Sequence, residues 1–293
     1  MANIRNIVVA TDFSEASDAA VERAVQLAVV HGAALCLLHA IDDTARPAPE
    51  SAPDAQPGAS AQPPDDQLRQ RLAAIAASLA GQVPVEVTIH CEAGPPATVI
   101  AAYVRTHDCS LVVAGSRADP ALSGLGSTAS QVVQMPACPT LIVRATERRP
   151  YATILSAVDL RDGSLRAAAL AIDLFAQAHH HLLYALDPVL PDSPESGAQA
   201  DEHLQSEYDS LRSQADLDLR QLAQRLSRLT VHPVKAIVAD DVPARAILVS
   251  AATLRADCVV VGHHGDEAAT DKSLGSMAQH VIHSALSDVL VVP

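Results

Sequence analysis

The chain has 293 residues, of which 49% are hydrophobic, so it is long enough to form two domains with sizeable cores. Its formal net charge is −14, from 34 acidic and 20 basic residues, which argues against nucleic acid as a general partner. Only 2% of the residues are aromatic, so the cores must be aliphatic, and side chains on which bases could stack are scarce.

Hydrophobic periodicity predicts alternating strands and helices through the first half of the chain. A loop rich in Pro, Ala and Asp is expected at residues 43–64, and Pro84 favours an edge position for the strand that contains it. In chain order, the predicted elements are strand 4–10, helix 14–31, strand 34–41, a helix through 68–79, strand 83–90, a helix ending near 106, strand 110–114, a helix from 126 and strand 140–143.

From Tyr151 the same order of elements begins again. Asp12 and Asp159 are 147 residues apart, and so are Gly115 and Gly262. The pairs Pro96 with Pro243 and Ile100 with Ile247 share that offset. The chain therefore reads as a tandem duplication, with domains at 1–147 and 148–293. Each domain is predicted to be α/β and doubly wound, a five-stranded parallel sheet with helices on both faces.

The last strand of each half, 141–143 and 289–292, is expected to expose an edge. Pairing of these edges, within the chain or between chains, is a route to assembly.

The cysteines and the apolar runs indicate the cellular compartment of the protein. Five cysteines occur without clustered spacing, mostly in or beside predicted strands, which is typical of reduced core residues. We find no signal-peptide pattern, and no apolar run approaches the length of about 20 residues that a membrane span needs. The sequence therefore predicts a cytoplasmic protein without membrane contact.

A glycine-bracketed loop in the second half has the outline of a nucleotide-phosphate site. Gly262-His263-His264-Gly265 follows an apolar strand, and Gly275-Ser276 begins a helix nine residues later. Glycines allow positive φ and close approach of a ligand, so helix-terminal amides could hold a polyanion. Ser276 could cap the helix or donate to phosphate, and Lys272 lies in the same loop. Glycines at the turns of any doubly wound domain are the alternative explanation.

The spacing G-x2-G-x9-G-S closely resembles the ATP-binding motif of the universal stress protein family. The resemblance covers nearly the whole chain except residues 43–64 and 187–200, and the duplication resembles the two-domain members of that family, with UspA-like halves. It implies a Rossmann-like, adenine nucleotide alpha hydrolase-like fold, and ATP, with or without Mg, as the ligand. It also implies an intrachain pseudo-dimer, and a homodimer remains open.

Residue by residue, the resemblance extends to several strand ends of the second half. Asp159 would contact adenosine, with a helix N-cap as its alternative role. The ATP-binding set is Ala157, Asp159, Ala185, Val261, Gly262, Gly265, Lys272, Gly275, Ser276 and Met277.

The first half departs from the motif. It retains Asp12, Gly115, Gly126, Ser127 and Thr128. However, Ala118 replaces the second glycine, the loop is two residues shorter, and Asp119 adds a negative charge that Arg117 could only partly offset. We therefore expect this copy to bind ATP weakly or not at all.

Other motifs carry less weight. Residues 124–129 match a dinucleotide fingerprint but lack a strand directly before it, and no Gly-Lys pair of a P-loop occurs. A surface run entering a strand is expected at His179-His180-His181, and solvated or core side chains at His280 and His283. His263 and His264 could bind phosphate when protonated, or be exposed loop residues.

The resemblance implies an ATP-binding stress-response protein that acts through nucleotide-dependent conformation or partner binding. No nucleophile–base pair and no metal site can be assigned, so at most slow ATP hydrolysis is expected. One alternative is an enzyme of the same fold that transfers AMP from ATP, although its usual H-x-G-H signature is missing beside the phosphates. Another is a scaffold that binds no nucleotide.

Overall fold

The computed structural model of the protein describes residues 4–41, 64–116, 125–134, 138–144, 149–187, 198–263 and 274–293. The loop expected at 43–64 lies outside these ranges except for Pro64, which begins a helix. Of the phosphate loop, Gly265 and Lys272 lie outside the described residues, and so do Arg117, Ala118 and Asp119 of the first copy.

Strands and helices alternate in both halves of the described chain. The first half contains β1 (Asn6–Ala10), α1 (Glu15–His31), β2 (Ala34–Ile41), α2 (Pro64–Ala80), β3 (Val87–Ala93), α3 (Pro96–Thr106), β4 (Leu111–Gly115), α4 (Ser127–Val132) and β5 (Thr140–Val143). The second half contains β6 (Thr153–Ala157), α5 (Asp162–Leu174), β7 (His179–Leu186), α6 (Ala198–Leu226), β8 (Lys235–Asp240), α7 (Pro243–Leu254), β9 (Cys258–Gly262), α8 (Ser276–Ser284) and β10 (Asp288–Val292).

Helix α1 shows how local sequence sets these bounds. The Ser14 side chain accepts a hydrogen bond from the Ser17 amide and caps the start of the helix. Gly32 ends it in the left-handed conformation, with φ 61°, and its amide donates to the Ala28 carbonyl. Its buried face includes Ala20, Ala24, Leu27 and Ala28 at helical spacing, as the sequence predicts.

The strands form a ten-stranded sheet in the order β3-β2-β1-β4-β5-β10-β9-β6-β7-β8. Within each half the neighbouring strands are parallel, and β3 occupies an edge, as predicted. Strands β5 and β10 pair antiparallel, with Leu290 opposite Leu141. The two edges expected to be exposed therefore pair with each other within the chain, and the two parallel sheets become one.

The hydrophobic core also crosses this junction. Ile142 of β5 belongs to the same buried cluster as Val289 of β10 and Val281 of α8. On the opposite face, Leu141 shares a cluster with Leu290 and with residues of α1, α2 and α5. Burial of these aliphatic side chains holds the two halves together as well as each half by itself.

A buried polar network reinforces the junction. Asp288 is 0% exposed and accepts hydrogen bonds from the Tyr151 hydroxyl and, at 2.7 Å, from the Arg144 amide. The Arg144 guanidinium donates to the carbonyls of Ala285 and Ile282. Burial lowers the pKa of Arg144, and the Asp288 carboxylate opposes this shift. Asp288 therefore compensates a partly desolvated cation at the point where the halves meet.

Candidate functional site

The first parallel strand of the second half, β6, lies between β7 and β9, so strand order reverses there. Ligands of open α/β sheets bind beyond the carboxyl ends of the strands at this kind of reversal. A cleft of about 140 Å³ lies at that position. Five of the predicted ATP-binding residues line it: Ala157, Asp159, Ala185, Gly262 and Met277.

Six further residues line the same cleft, and the sequence analysis did not assign them to the site: Val158, Ser164, Leu183, Tyr184, Pro243 and Ile247. Pro243 is the first residue of α7, and Ile247 lies one turn further along that helix. Their spacing repeats that of Pro96 and Ile100 in the first half. That shared offset marked both residues as part of the repeated unit, and the structure places them along one side of the cleft. Val261, predicted to begin the phosphate loop, is buried in the core beside this cleft.

Asp159 shapes the turn between β6 and α5. Its Oδ1 atom accepts hydrogen bonds from the Arg161 amide at 3.0 Å and from the Ser164 hydroxyl at 2.5 Å. Both bonds end on Oδ1, so within the described residues no donor reaches Oδ2. That oxygen is suited to accept a hydrogen bond from a hydroxyl or amino group of a ligand in the cleft.

The alternative role of Asp159 as a helix N-cap is wrong. The N-cap of α5 is Arg161, two residues later, and it makes no side-chain cap hydrogen bond. Leu160, between the two, has φ 62°, a conformation that costs energy for a residue with a side chain. The carboxylate of Asp159 holds this strained turn and does not cap the helix.

The first copy has the same turn. Asp12 Oδ1 accepts from the Ser14 amide at 3.0 Å, and Phe13 has φ 62°. Burial raises the pKa of Asp12, but hydrogen bonds from Ser14 and Ser17 outweigh it and lower the pKa overall. The duplication therefore preserves a carboxylate and a left-handed residue at the same place in both halves.

Backbone hydrogen bonds bring the two ends of the phosphate loop together. The Gly275 amide donates to the His263 carbonyl at 2.9 Å, and the His263 amide donates to the Val292 carbonyl at 2.7 Å. Gly275 is the N-cap of α8, and Ser276 and Met277 are its first two residues. Since glycine has no side chain to cap with, the amides of this first turn are not capped from Gly275. They are suited to an anion.

The expectation that the glycines adopt positive φ is wrong where it can be tested. Gly275 has φ −58°, and Gly262 is an extended residue of β9, paired with Val292. Any residue can adopt these conformations, so positive φ does not explain glycine at either position.

In the first copy, Gly115 has a packing role. A Cβ atom added to it would lie 2.2 Å from the Ala16 carbonyl oxygen, because the start of α1 passes directly over the end of β4. Gly126 is the N-cap of α4 with φ −56°, and a Cβ there would meet nothing within 4 Å. Ser127 and Thr128 begin α4. The weakened site predicted for this half stays a prediction, because most of its loop lies outside the described residues.

The structure corrects two expectations about histidines. His263 is 2% exposed, so it is not an exposed loop residue; His264 lies outside the described residues. The run at His179 does enter a strand, but His180 and His181 are buried inside the sheet. Burial lowers the pKa of both, which keeps them neutral near pH 7.

His280 and His283 are exposed on α8, and Nδ1 of His283 lies 3.3 Å from the Leu125 amide. Within the described ranges, no group of three or more His, Cys, Asp or Glu side chains is placed to hold a metal ion. No described helix combines the length and apolarity needed to cross a membrane.

These features define a tandem doubly wound α/β protein with a cleft at the strand reversal of its second half. The model of the universal stress protein family matches residues 3–144 and again residues 150–293. The chain therefore belongs to the universal stress protein family, with two tandem copies of the family's domain.

Sequence identity to individual relatives is low. Universal stress proteins of Mycobacterium tuberculosis and Mycobacterium bovis are each 28% identical over 193 residues, which are 64% of this chain and 62% of the relative. The match thus spans less than two thirds of those relatives. The crystal structure of a universal stress protein from Archaeoglobus fulgidus aligns with this chain with a TM-score of 0.65 at 18% identity. The alignment covers 100% of this chain and 98% of the Archaeoglobus fulgidus chain. That similarity shows the fold.

Proposed function

We propose that the second half binds ATP at the cleft between β6, β7 and β9, and that the protein acts in the cytoplasm as a nucleotide-dependent stress-response protein. The observation that carries the proposal is the convergence of Ala157, Asp159, Ala185, Gly262 and Met277 on one cleft at the strand reversal. The family resemblance had selected these residues from four separate stretches of the chain.

The cleft and the start of α8 would bind different parts of the nucleotide. The cleft volume of about 140 Å³ is below the roughly 300–1,000 Å³ of complete small-molecule pockets, so it would hold the adenine base, with the ribose at its rim and the phosphates outside. Ala157, Leu183 and Ile247 give the cleft an apolar wall for the base, and Asp159 Oδ2 would accept from the ribose. The phosphates, with any accompanying Mg, would then lie over the uncapped amides of α8.

The test is calorimetric titration of ATP into the full-length protein and into paired variants of the two halves. Asp159→Asn keeps an acceptor for the Arg161 amide and removes the carboxylate charge, so we expect ATP affinity to fall about tenfold or more. Asp12→Asn makes the same change in the first half and should leave affinity unchanged. Gly275→Val should abolish binding by covering the amides, and Gly126→Val should change it little. Equal effects of the paired variants would refute the assignment to the second half.

Two further measurements separate the alternatives. Acid denaturation of the purified protein, with chromatography of the supernatant, identifies any nucleotide carried through purification. Incubation with ATP, followed by analysis for ADP, AMP and pyrophosphate, distinguishes binding from hydrolysis and from AMP transfer. We expect bound ATP and at most slow release of ADP, because no described side chain near the cleft forms a nucleophile–base pair. A protein that neither carries nor binds ATP would be a scaffold.

A further inference from the structure

Two histidine side chains stack on each other at the amino ends of the strands of the second half. The ring centroids of His179 and His232 lie 4.0 Å apart, with 23° between the ring planes. His179 is the first residue of β7, and His232 lies just before β8. We call these two residues the histidine pair. The nucleotide cleft is about 20 Å away, since Ala185 in that cleft lies six residues further along the extended strand.

The ring nitrogens of the histidine pair are open to a ligand. His179 is exposed and His232 is half-buried. Within the described part of the chain, no hydrogen bond or ion pair reaches a ring nitrogen of either residue. The neighbouring His180 is different, because it is buried and its Nε2 atom lies 2.9 Å from the Phe175 carbonyl oxygen. A neutral imidazole whose nitrogens are not engaged by the protein is a good ligand for a metal ion.

The spacing of the two rings suits chelation of a single ion. Late divalent transition metals such as Ni²⁺, Cu²⁺ and Zn²⁺ bind imidazole nitrogen well, and Ni²⁺ and Cu²⁺ favour tetragonal arrangements of nitrogen and oxygen ligands. With metal–nitrogen bonds of about 2.0 Å, two adjacent ligands of such an ion are about 2.8 Å apart. Two rings stacked at 4.0 Å therefore need to converge by only about 1 Å at their nitrogens, which small side-chain rotations allow.

The backbone of both histidines is held in place before any ion arrives. The His179 amide donates to the Ala152 carbonyl at 2.8 Å, which fixes the start of β7 against β6. The Thr230 hydroxyl donates to the His232 carbonyl at 2.5 Å. Val234, two residues after His232, is buried in the core. Because the fold already orders both backbones, binding an ion would cost mainly the remaining freedom of two side chains.

Two neighbouring residues limit what the site can be. His181 lies on the same face of β7 as His179, because residues two apart in a strand share a face. However, the described residues contain no group of three side chains placed to hold a metal ion, so the pair would supply two ligands and water the others. Lys235, opposite His181 in the strand register, is exposed, so its ammonium group can stay in water away from a bound cation.

The duplication provides an internal comparison. Counted from matching positions of the paired strands, Ala34 and Val85 of the first half stand where His179 and His232 stand in the second. Both of these side chains are apolar and cannot bind a metal ion. The repeated fold therefore does not require histidine at either position, and the pair is a feature of the second half.

We propose that the histidine pair binds one divalent late transition-metal ion, with one imidazole nitrogen each from His179 and His232 as adjacent ligands. This site is separate from the nucleotide cleft and does not depend on it. Strand β8 is the last strand of the described sheet on this side. A bound ion would join the start of β7 to the segment that leads into β8, and so would tie this edge strand to its neighbour. Hard ions such as Mg²⁺ prefer oxygen ligands and should not bind here.

The test is calorimetric titration of NiCl₂ into the full-length protein, after a chelator has removed any metal and has itself been dialysed away. Ni²⁺ is the probe because Cu²⁺ can oxidise the free cysteines. We expect one Ni²⁺ site per chain and no binding of MgCl₂. His179→Gln and His232→Gln should each weaken Ni²⁺ binding about tenfold or more. The double variant should bind no more weakly than either single variant, because one remaining imidazole can no longer chelate.

The matched control is His280→Gln. His280 and His283 are exposed and three residues apart on α8, which makes them the competing pair of histidines on the described surface, and this variant should leave Ni²⁺ binding unchanged. Wild-type Ni²⁺ affinity in either His179→Gln or His232→Gln would overturn the proposal, and so would loss of binding in His280→Gln. A folded wild type that binds no Ni²⁺ would overturn it as well. If the variants of the pair melted lower without metal but bound Ni²⁺ like the wild type, the rings would only stack, and the metal site would be refuted.

Discussion

Replacing Asp288 by alanine removes the carboxylate at the centre of the junction between β5 and β10. The side chain is 0% exposed and accepts from the Tyr151 hydroxyl and the Arg144 amide. Without it, the partly buried Arg144 cation loses its compensating charge, and a buried hydroxyl loses its acceptor. Breaking a buried charge pair costs about 3–5 kcal/mol, so we expect a loss of that size in the free energy of unfolding.

Differential scanning calorimetry measures this loss. For a chain of this size, each 1 kcal/mol lowers the melting temperature by about 2 °C, so Asp288→Ala should melt roughly 6–10 °C below the wild type. Tyr151→Phe removes one hydrogen-bond donor and should cost about 1 kcal/mol. Asp241→Ala breaks an exposed ion pair with Arg245 and should have almost no effect. If Asp288→Ala melted within about 2 °C of that control, the junction would not depend on the buried network.

Three other predictions concern packing, titration and thiol reactivity. Gly115→Ala should lower the melting temperature markedly, because its Cβ would lie 2.2 Å from a backbone oxygen of α1, whereas Gly126→Ala should not; equal melting of the two variants would contradict this packing. Burial lowers the pKa of His180, so the unfolded chain takes up the proton first as the pH falls below about 6.5. Stability should therefore decline below that pH, and His180→Asn should show a shallower decline in pH-dependent melting curves. Burial raises the pKa of Cys138 to about 12, so a thiol reagent at pH 8 should label partly exposed Cys91 well before Cys138, with mass spectrometry giving the order.

Most of the fold could be predicted from the sequence because two independent patterns agreed. Periodicity gave the order of strands and helices, and the offset of 147 residues showed that this order occurs twice. The strand predicted at 83–90 is displaced in the structure to Val87–Ala93. Its bounds are set by parallel pairing along β2, where Cys36 lies opposite Thr88, and pairing of this kind between distant segments is invisible to local periodicity.

The histidine run shows why polar composition alone gave a wrong prediction of a surface position. Three consecutive polar residues indicate a surface, yet side chains of a strand alternate between the two faces of a sheet. In a sheet covered by helices on both faces, both directions are buried. His180 therefore lies in the interior, with its Nε2 atom 2.9 Å from the Phe175 carbonyl oxygen. A covered central strand can be identified only once its neighbours are known.

The candidate site could be predicted only where a residue takes part in the repeated motif. Gly262 was found from the glycine spacing, and Asp159 from its place after the first strand of the repeat together with the family resemblance. Tyr184 and Ser164 line the same cleft, but nothing in their local sequence marks them as ligand contacts. They reach the cleft because β7 and α5 flank the strand reversal, and this requires the order of the strands in space.

Packing explains Gly115, whereas neither backbone conformation nor capping explains Gly275. Gly115 is required by the backbone of α1, so its presence needs no ligand. Gly275 has φ −58° and begins a helix, where serine or aspartate would serve equally well as a cap, so backbone conformation does not require glycine there. A glycine that neither conformation nor capping demands is accounted for if a ligand must approach the backbone closely. The scaffold alternative, in which the glycines are structural, expects no ATP binding by the wild type and a loss of stability in Gly275→Ala. The nucleotide proposal expects stability to be retained and affinity to fall, so one variant with two measurements separates them.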